Sequence, residues 1–167
     1  MPFGAGCTAC VVLLTPDTIY CANSGDSRAI LVNKAGKVTE LSHDHKPDDP
    51  GEMKRIKAGG GFVDDGRVQG IIAVSRAIGD WEYKNPQLLS QLEAKKSLKK
   101  KKTVGDKGMG ATAASPTEKK GGPYRNIEEG KKHQVTSFPD IKKVPFKADH
   151  DFIIVACDGI WDCFTNE

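Results

Sequence analysis

What the sequence has little of sets its first limits. The longest unbroken apolar runs, Ala9–Leu14 and Phe152–Cys157, are six residues each. A helix crossing a bilayer needs roughly 18–20, so a helical membrane span is excluded. Met1-Pro2-Phe3-Gly4 offers neither a basic leader nor an apolar core, which predicts no secretory signal. Cysteine is scarce and odd in number, with five in 167 residues. That excludes a disulfide scaffold and predicts free thiols in a reducing compartment, cytoplasmic and/or nuclear. Cys7-Thr8-Ala9-Cys10 has C-x-x-C spacing, but the strand-like Val-Val-Leu-Leu follows it rather than a helix start, and no second pair is near. The cysteines are therefore expected to be buried packing residues.

A large charge of one sign is also missing, since the formal net charge is only +3. The small figure hides an asymmetry. Residues 84–133 hold 13 Lys/Arg against 5 Asp/Glu, and the remainder holds 12 against 17. An acidic body with a basic insert is not a uniformly basic nucleic-acid binder. The insert is densest at Lys95–Lys102, with six lysines in eight positions, and shows no apolar period. It is expected to be a disordered, solvated insertion, with attachment to nucleic acid or a nuclear address as the alternative.

The chain that remains is rich in strand signals. Ala9–Leu14, Thr18–Asn23, Arg28–Asn33 and Val38–Leu41 are β-branched or apolar runs separated by short turn segments, so the first third reads as an antiparallel meander. Apolar residues on both faces of several strands predict a sheet covered on both sides. A helix is expected from Asp48 or Asp49, with Pro50 in its first turn, to Gly59-Gly60-Gly61. A hairpin turning at Asp65-Gly66, a strand at Ile71–Ala73 and a strand over Ile141–Pro145 follow. The apolar run Phe152–Cys157 ends in Asp158-Gly159, and Ile160–Phe164 can begin a helix.

Three aspartates carry the chemistry. Asp158 closes a deeply apolar strand, where an unpaired carboxylate requires a cation or hydrogen-bond donors. Asp162 lies one helical turn further on, on the same side. Asp26, in Asn23-Ser24-Gly25-Asp26-Ser27-Arg28, is a third carboxylate at a tight turn. Hard oxygen ligands suit Mg²⁺ or Mn²⁺, and ordinary turn or cap chemistry is the alternative for each aspartate.

A series of motifs, in order, resembles the metal-dependent protein serine/threonine phosphatases of type 2C, the PPM family. They are Ala5-Gly6-Cys7-Thr8-Ala9, Asn23–Ala29, Leu41–Pro47, Glu52 with Arg55-Ile56, Gly60–Val63, Arg67–Gly70, Ala73–Asp80, Pro139-Asp140 and Ala156–Asp162. The resemblance implies an α+β fold, a four-layer α-β-β-α sandwich of two antiparallel sheets flanked by helices. It implies two Mg²⁺ or Mn²⁺ ions per intact site, sharing a water or hydroxide that attacks phosphoserine or phosphothreonine in a protein substrate. Asp158 matches a ligand of that pair, and Asp26 and Asp162 match positions associated with a further metal. Gly159 is expected to keep the approach to the metals open, and Arg76 and Asp80 to form a structural ion pair beside the site, with substrate contact as the alternative. His43 and His45 read as turn residues. The family's Asp-Gly-His-Gly segment, phosphate-binding arginine and closing Asp-Asn do not occur in these residues. The chain thus resembles a partial catalytic domain over 1–167 with its insertion at about 84–133, expected to be monomeric and to have little phosphatase activity alone. A catalytically inactive module that binds acidic partners through the insert is the competing expectation.

Overall fold

The computed structural model describes residues 5–84 and 130–167, so the six-lysine segment Lys95–Lys102 and most of the expected insertion lie outside the described residues. Two three-stranded antiparallel sheets form the body. The first sheet has the order β2-β3-β9, from Ala9–Leu14, Thr18–Ser24 and Asp140–Pro145. The second has the order β10-β4-β5, from His150–Ala156, Arg28–Asn33 and Val38–Glu40. Two short ribbons flank them: β1 (Gly6–Cys7) pairs with β8 (Ile78–Gly79), and β6 (Val63–Asp64) with β7 (Arg67–Val68).

Strand periodicity explains which face is buried. In β2 and β3, Cys10, Val12, Ile19 and Cys21 turn inward, and in β4 Ala29 and Leu31 do the same; with Leu41, Val144 and Ile153 they fill the space between the sheets. The opposite face of β4, Ile30 and Val32, is covered by Trp161, whose indole Nε1 donates to the carbonyls of Ala156 and Arg28. The outer face of the first sheet has no such cover among the described residues. Val11 and Leu13 are 60% and 59% exposed, and neighbouring Ile141 is 62% exposed. The expected sheet covered on both sides is therefore found only in part.

The expected meander is corrected at one connection. The β2–β3 and β4–β5 hairpins form, but β3 does not pair with β4. Gly25, at φ +122°, turns the chain from one sheet to the other, and a Cβ there would stand 2.3 Å from Thr8 Cγ2. Strands remote in sequence, β9 and β10, take the vacated positions beside β3 and β4.

A second core gathers around helix α1 (Pro50–Ala58), where Ile56, Val68, Ala77, Tyr83 and Val135 are buried together. Pro50 sits in the first turn as expected, but Asp49 at the N-cap makes no side-chain capping bond. The glycines that end the helix have a second reason to be small. A Cβ at Gly59 would come within 2.9 Å of the Lys132 carbonyl, and one at Gly61 within 2.8 Å of the Gln134 side chain. Between β6 and β7, Asp65 and Gly66 both take positive φ, the turn the sequence predicts. Ile71–Ala73 is not a strand: Ile72 makes a single bridge to Val68.

Candidate active site

The cavity of about 460 Å³ that collects the candidate carboxylates lies at the end of the β1–β8 ribbon. Asp26, Asp80 and Asp158 all line it, with Gly6, Thr8 and Val74 among the remaining walls. The three aspartates come from the β3–β4 connection, the residue after β8, and the first position of a short helix α2 (Asp158–Trp161).

Asp80 is the most constrained. It adopts a left-handed backbone, φ 47° and ψ 49°, while its N–H donates to the Ala5 carbonyl at 3.1 Å. Gly6 and Gly79 face each other across the ribbon. A Cβ on Gly79 would strike the Ala5 carbonyl oxygen at 2.4 Å, and one on Gly6 would overlap the Asp80 carboxylate. Two glycines therefore let this carboxylate lie against backbone. Burial pushes the Asp80 carboxyl above its ordinary range, only partly opposed by the charge of Lys84. Lys84 itself is buried, its ammonium donating to the Ala77 carbonyl at 2.6 Å, and burial lowers its pKa.

Asp26 is held differently. Its carboxylate is paired with Lys46 Nζ at 2.9 Å, and its loop is braced by its neighbours. The Gly25 N–H donates to His45 Nδ1 at 3.1 Å and the His45 N–H donates to the Gly25 carbonyl at 3.0 Å. Thr8 and Ser27 share a hydroxyl hydrogen bond at 2.8 Å. His45 is thus a buried brace for the Asp26 turn, whereas His43 is exposed and meets Asp49 at 3.3 Å.

Asp158 lines the cavity, but it is exposed, because β10 is an edge of its sheet among the described residues. The burial argument made for it from sequence belongs to Asp80. Asp162 follows Asp158 by one turn, its N–H donating to the Asp158 carbonyl at 2.7 Å. It is exposed, does not line the cavity, and adds its charge near Arg28 and Lys46. Among the described residues a Cβ at Gly159 would meet Cys157 Sγ at 3.6 Å, an ordinary contact. A close approach between a glycine and a site carboxylate is found at Gly6. The signal for Gly6 and Asp80 lay in the sequence as two glycines and an aspartate, Gly6 and Gly79-Asp80, but their contact joins segments more than 70 residues apart.

Arg76 and Asp80 do not pair with each other. Arg76 reaches Glu52 Oε1 at 2.8 Å and Asp140 Oδ1 at 2.7 Å. Glu52 also accepts from Arg55 Nη1 at 2.6 Å and from the Ser75 hydroxyl. Asp140 is shared with His45, whose Nε2 stands 3.2 Å away. Burial raises the proton affinity of Glu52, but these donors outweigh it and hold the carboxyl at about 2. This cluster ties α1, the segment before β8, and the start of β9 into one frame beneath the cavity.

The cysteines depart from expectation: Cys7, Cys157 and Cys163 are exposed, and only Cys10 and Cys21 pack in the inter-sheet core. Among the described residues no three His, Cys, Asp or Glu side chains close into a ligand group of their own. The cavity presents separate oxygen donors rather than a finished coordination shell.

Two antiparallel sheets with helices and with carboxylates lining a cavity at one end make this an α+β protein. The family model "Protein phosphatase 2C" matches residues 2–167, and the chain belongs to this family. It is 40% identical over 163 residues to protein phosphatase 2C homolog 3 of Schizosaccharomyces pombe, covering 98% of this chain and 30% of that protein. To the probable protein phosphatase 2C 6 of Paramecium tetraurelia it is 36% identical, covering 98% of this chain and 42% of the relative. A phosphatase crystal structure from Toxoplasma gondii matches with a TM-score of 0.58 at 27% identity, covering 87% of this chain and 32% of that one. The chain therefore spans about a third of the length of most of these relatives.

Proposed function

We propose that this chain supplies part of the cation-binding wall and the supporting frame of a Mg²⁺- or Mn²⁺-dependent phosphatase acting on phosphoserine and phosphothreonine in proteins. The carrying observation is the convergence of Asp26, Asp80 and Asp158 on one cavity from three separated motifs. The donor set fits a hard divalent ion, because all three side chains offer carboxylate oxygen. Asp80 adds the energetic reason: its carboxylate is desolvated and accepts no hydrogen bond among the described residues, so a nearby cation relieves a cost already present in the fold.

Asp158 and Asp80 would hold the ion, and Asp26 would hold it through the oxygen that Lys46 leaves available. Asp162, one turn from Asp158, would serve a further ion from outside the cavity wall. A divalent ion in such a place supplies Lewis acidity toward phosphoryl oxygens and makes water more acidic. The chain's own residues do the positioning. Gly6 admits the Asp80 side chain, His45 and Thr8 fix the Asp26 turn, and Arg76 is spent on Glu52 and Asp140, so it acts on the frame and not on substrate.

Phosphorylated proteins are the substrate class this reading implies, and the active enzyme is favoured over an inert module because the cavity retains its carboxylates. The test is titration of free Mn²⁺ by electron paramagnetic resonance, with phosphate release from a phosphothreonine peptide as a second arm. The chain is expected to bind Mn²⁺ weakly, with Asp158→Asn and Asp80→Asn each reducing binding at least tenfold. A free-ion spectrum unchanged by excess protein refutes the cation site. Phosphate release that is equally fast in chelator refutes the mechanism.

A further inference from the structure

Cys10 and Cys21 meet in the inter-sheet core with their sulfurs 3.9 Å apart. The β2–β3 register places Cys10 opposite Asn23 and Cys21 opposite Val12, so the two are diagonal neighbours on the inward face. A disulfide requires the sulfurs to close to about 2.05 Å, which for a diagonal pair takes side-chain rotation together with a local shift of the edge strand β2 toward β3, with the strand register kept. Cys21 is 1% exposed, while Cys10 is half-buried toward the edge of its sheet, so one sulfur is reachable and its partner is sheltered directly behind it.

We infer that Cys10 and Cys21 form a redox-active dithiol, a site of reversible oxidation to an intramolecular disulfide by peroxide. In the first step the Cys10 thiolate attacks one peroxide oxygen. An S–O bond forms, the O–O bond breaks, and hydroxide leaves, giving a sulfenic acid. In the second step the Cys21 sulfur attacks the Cys10 sulfur. The S–S bond forms, the S–O bond breaks, and the departing hydroxide takes the Cys21 proton as water. Two thiols thus lose two electrons and hydrogen peroxide is reduced to two waters. A thiol reductant reverses the bond by exchange.

The surroundings assign the two roles. Cys10 is the thiol that solvent reaches and Cys21 the sheltered one; the hydrogen bond between them and the Ser42 hydroxyl lower the Cys10 pKa against burial and the Asp44 charge. The same hydrogen bond, with burial, pushes Cys21 up, so Cys21 keeps its proton and acts as the resolving thiol. The remaining thiols, Cys7, Cys157 and Cys163, are exposed, and none makes a described contact with another sulfur. The inference stands apart from the phosphatase reading, because it needs only the β2–β3 pair.

The folded 167-residue chain, treated with hydrogen peroxide, alkylated and then cleaved before Asp17, decides the matter by mass spectrometry, because that cut separates Cys10 from Cys21 and leaves Cys7 with Cys10. The expected product is a cross-linked peptide pair that has lost two hydrogens and is restored by dithiothreitol. The Cys7→Ser variant should give the same cross-link in the same yield. In Cys21→Ser, Cys10 should instead be trapped as a sulfenic acid by dimedone. Peroxide treatment in denaturant should scatter the linkages over all five cysteines. A Cys7–Cys10 link, or Cys10 and Cys21 recovered uncross-linked from the folded chain, overturns the assignment. The wild-type and Cys7→Ser maps decide it even if Cys21→Ser does not fold.

Discussion

Glu52 and Asp80 are buried to nearly the same degree, 6% and 8% exposed, yet their proton affinities move in opposite directions. Glu52 is surrounded by Arg55, Arg76 and Ser75, and its carboxyl sits at about 2 because those donors overcome its desolvation. Among the described residues Asp80 has the charge of Lys84 against burial and the neighbouring charge of Glu82, and its carboxyl rises. Burial alone therefore says little about what a carboxylate is for. A buried carboxylate whose oxygens are all taken belongs to the framework, whereas one left short of donors marks where a cation is wanted.

Removing the satisfied partner should have the largest effect. Glu52→Ala leaves Arg55 and Arg76 buried without their shared anion and should cost about 3–5 kcal/mol in urea unfolding, the range for breaking one side of a buried pair. A loss under about 1 kcal/mol would mean that Asp140 alone can satisfy Arg76. Acid should expose the same group next. A carboxyl held at about 2 when folded, from an ordinary 4.5, stabilises the fold above the unfolded value and loses that contribution as pH falls toward 2. The loss amounts to about 3 kcal/mol at 1.36 kcal/mol per pH unit. Glu52→Gln should flatten the acid limb of the stability profile, and an unchanged limb assigns it to other carboxylates.

The Asp80 side of the comparison carries smaller numbers. Gly6→Ala places a methyl where the Asp80 carboxylate lies, and should destabilise by about 1–3 kcal/mol, as overpacking does, while weakening Mn²⁺ binding. Wild-type Mn²⁺ affinity in this variant would show that Asp80 does not need its observed position. The smallest shift should come from Asp80→Asn, and it should carry the opposite sign. A carboxyl whose folded pKa is raised favours folding while protonated and opposes it once pH rises through that value. At neutral pH the amide should therefore raise stability, by up to about 1 kcal/mol, and abolish the stabilisation that Mn²⁺ gives the wild type in a thermal melt.

Much of the secondary structure could be read directly. Ala9–Leu14 and Arg28–Asn33 form strands with those bounds, and Pro50 and Gly59 punctuate α1 as expected. The hairpin at Asp65-Gly66 follows from the positive φ that this pair tolerates. The meander failed because a three-residue connection, Gly25–Ser27, carries the chain between sheets instead of folding β4 back on β3. A short loop fixes that two strands are close in space, but it does not fix which edge each one joins.

The site shows the same division. Asp158 and Asp26 were recognisable as carboxylates at strand ends beside glycine, and both reach the cavity. The resemblance alone pairs Asp80 with Arg76 beside the site. Arg76 instead finds its anions on α1 and β9. That left Asp80 free to enter the cavity against Gly6.

Residue order and side-chain type alone determined where most strands lie, the ends of α1, the phosphatase 2C lineage and the acidic side chains available for a cation. Their periods and turn chemistry act over a few neighbours, so they are written locally. Only the tertiary structure decided that Glu52 would be saturated, Asp80 left wanting and Asp158 exposed. Those outcomes depend on which distant backbone and donors surround each carboxylate, and solvation is a property of surroundings.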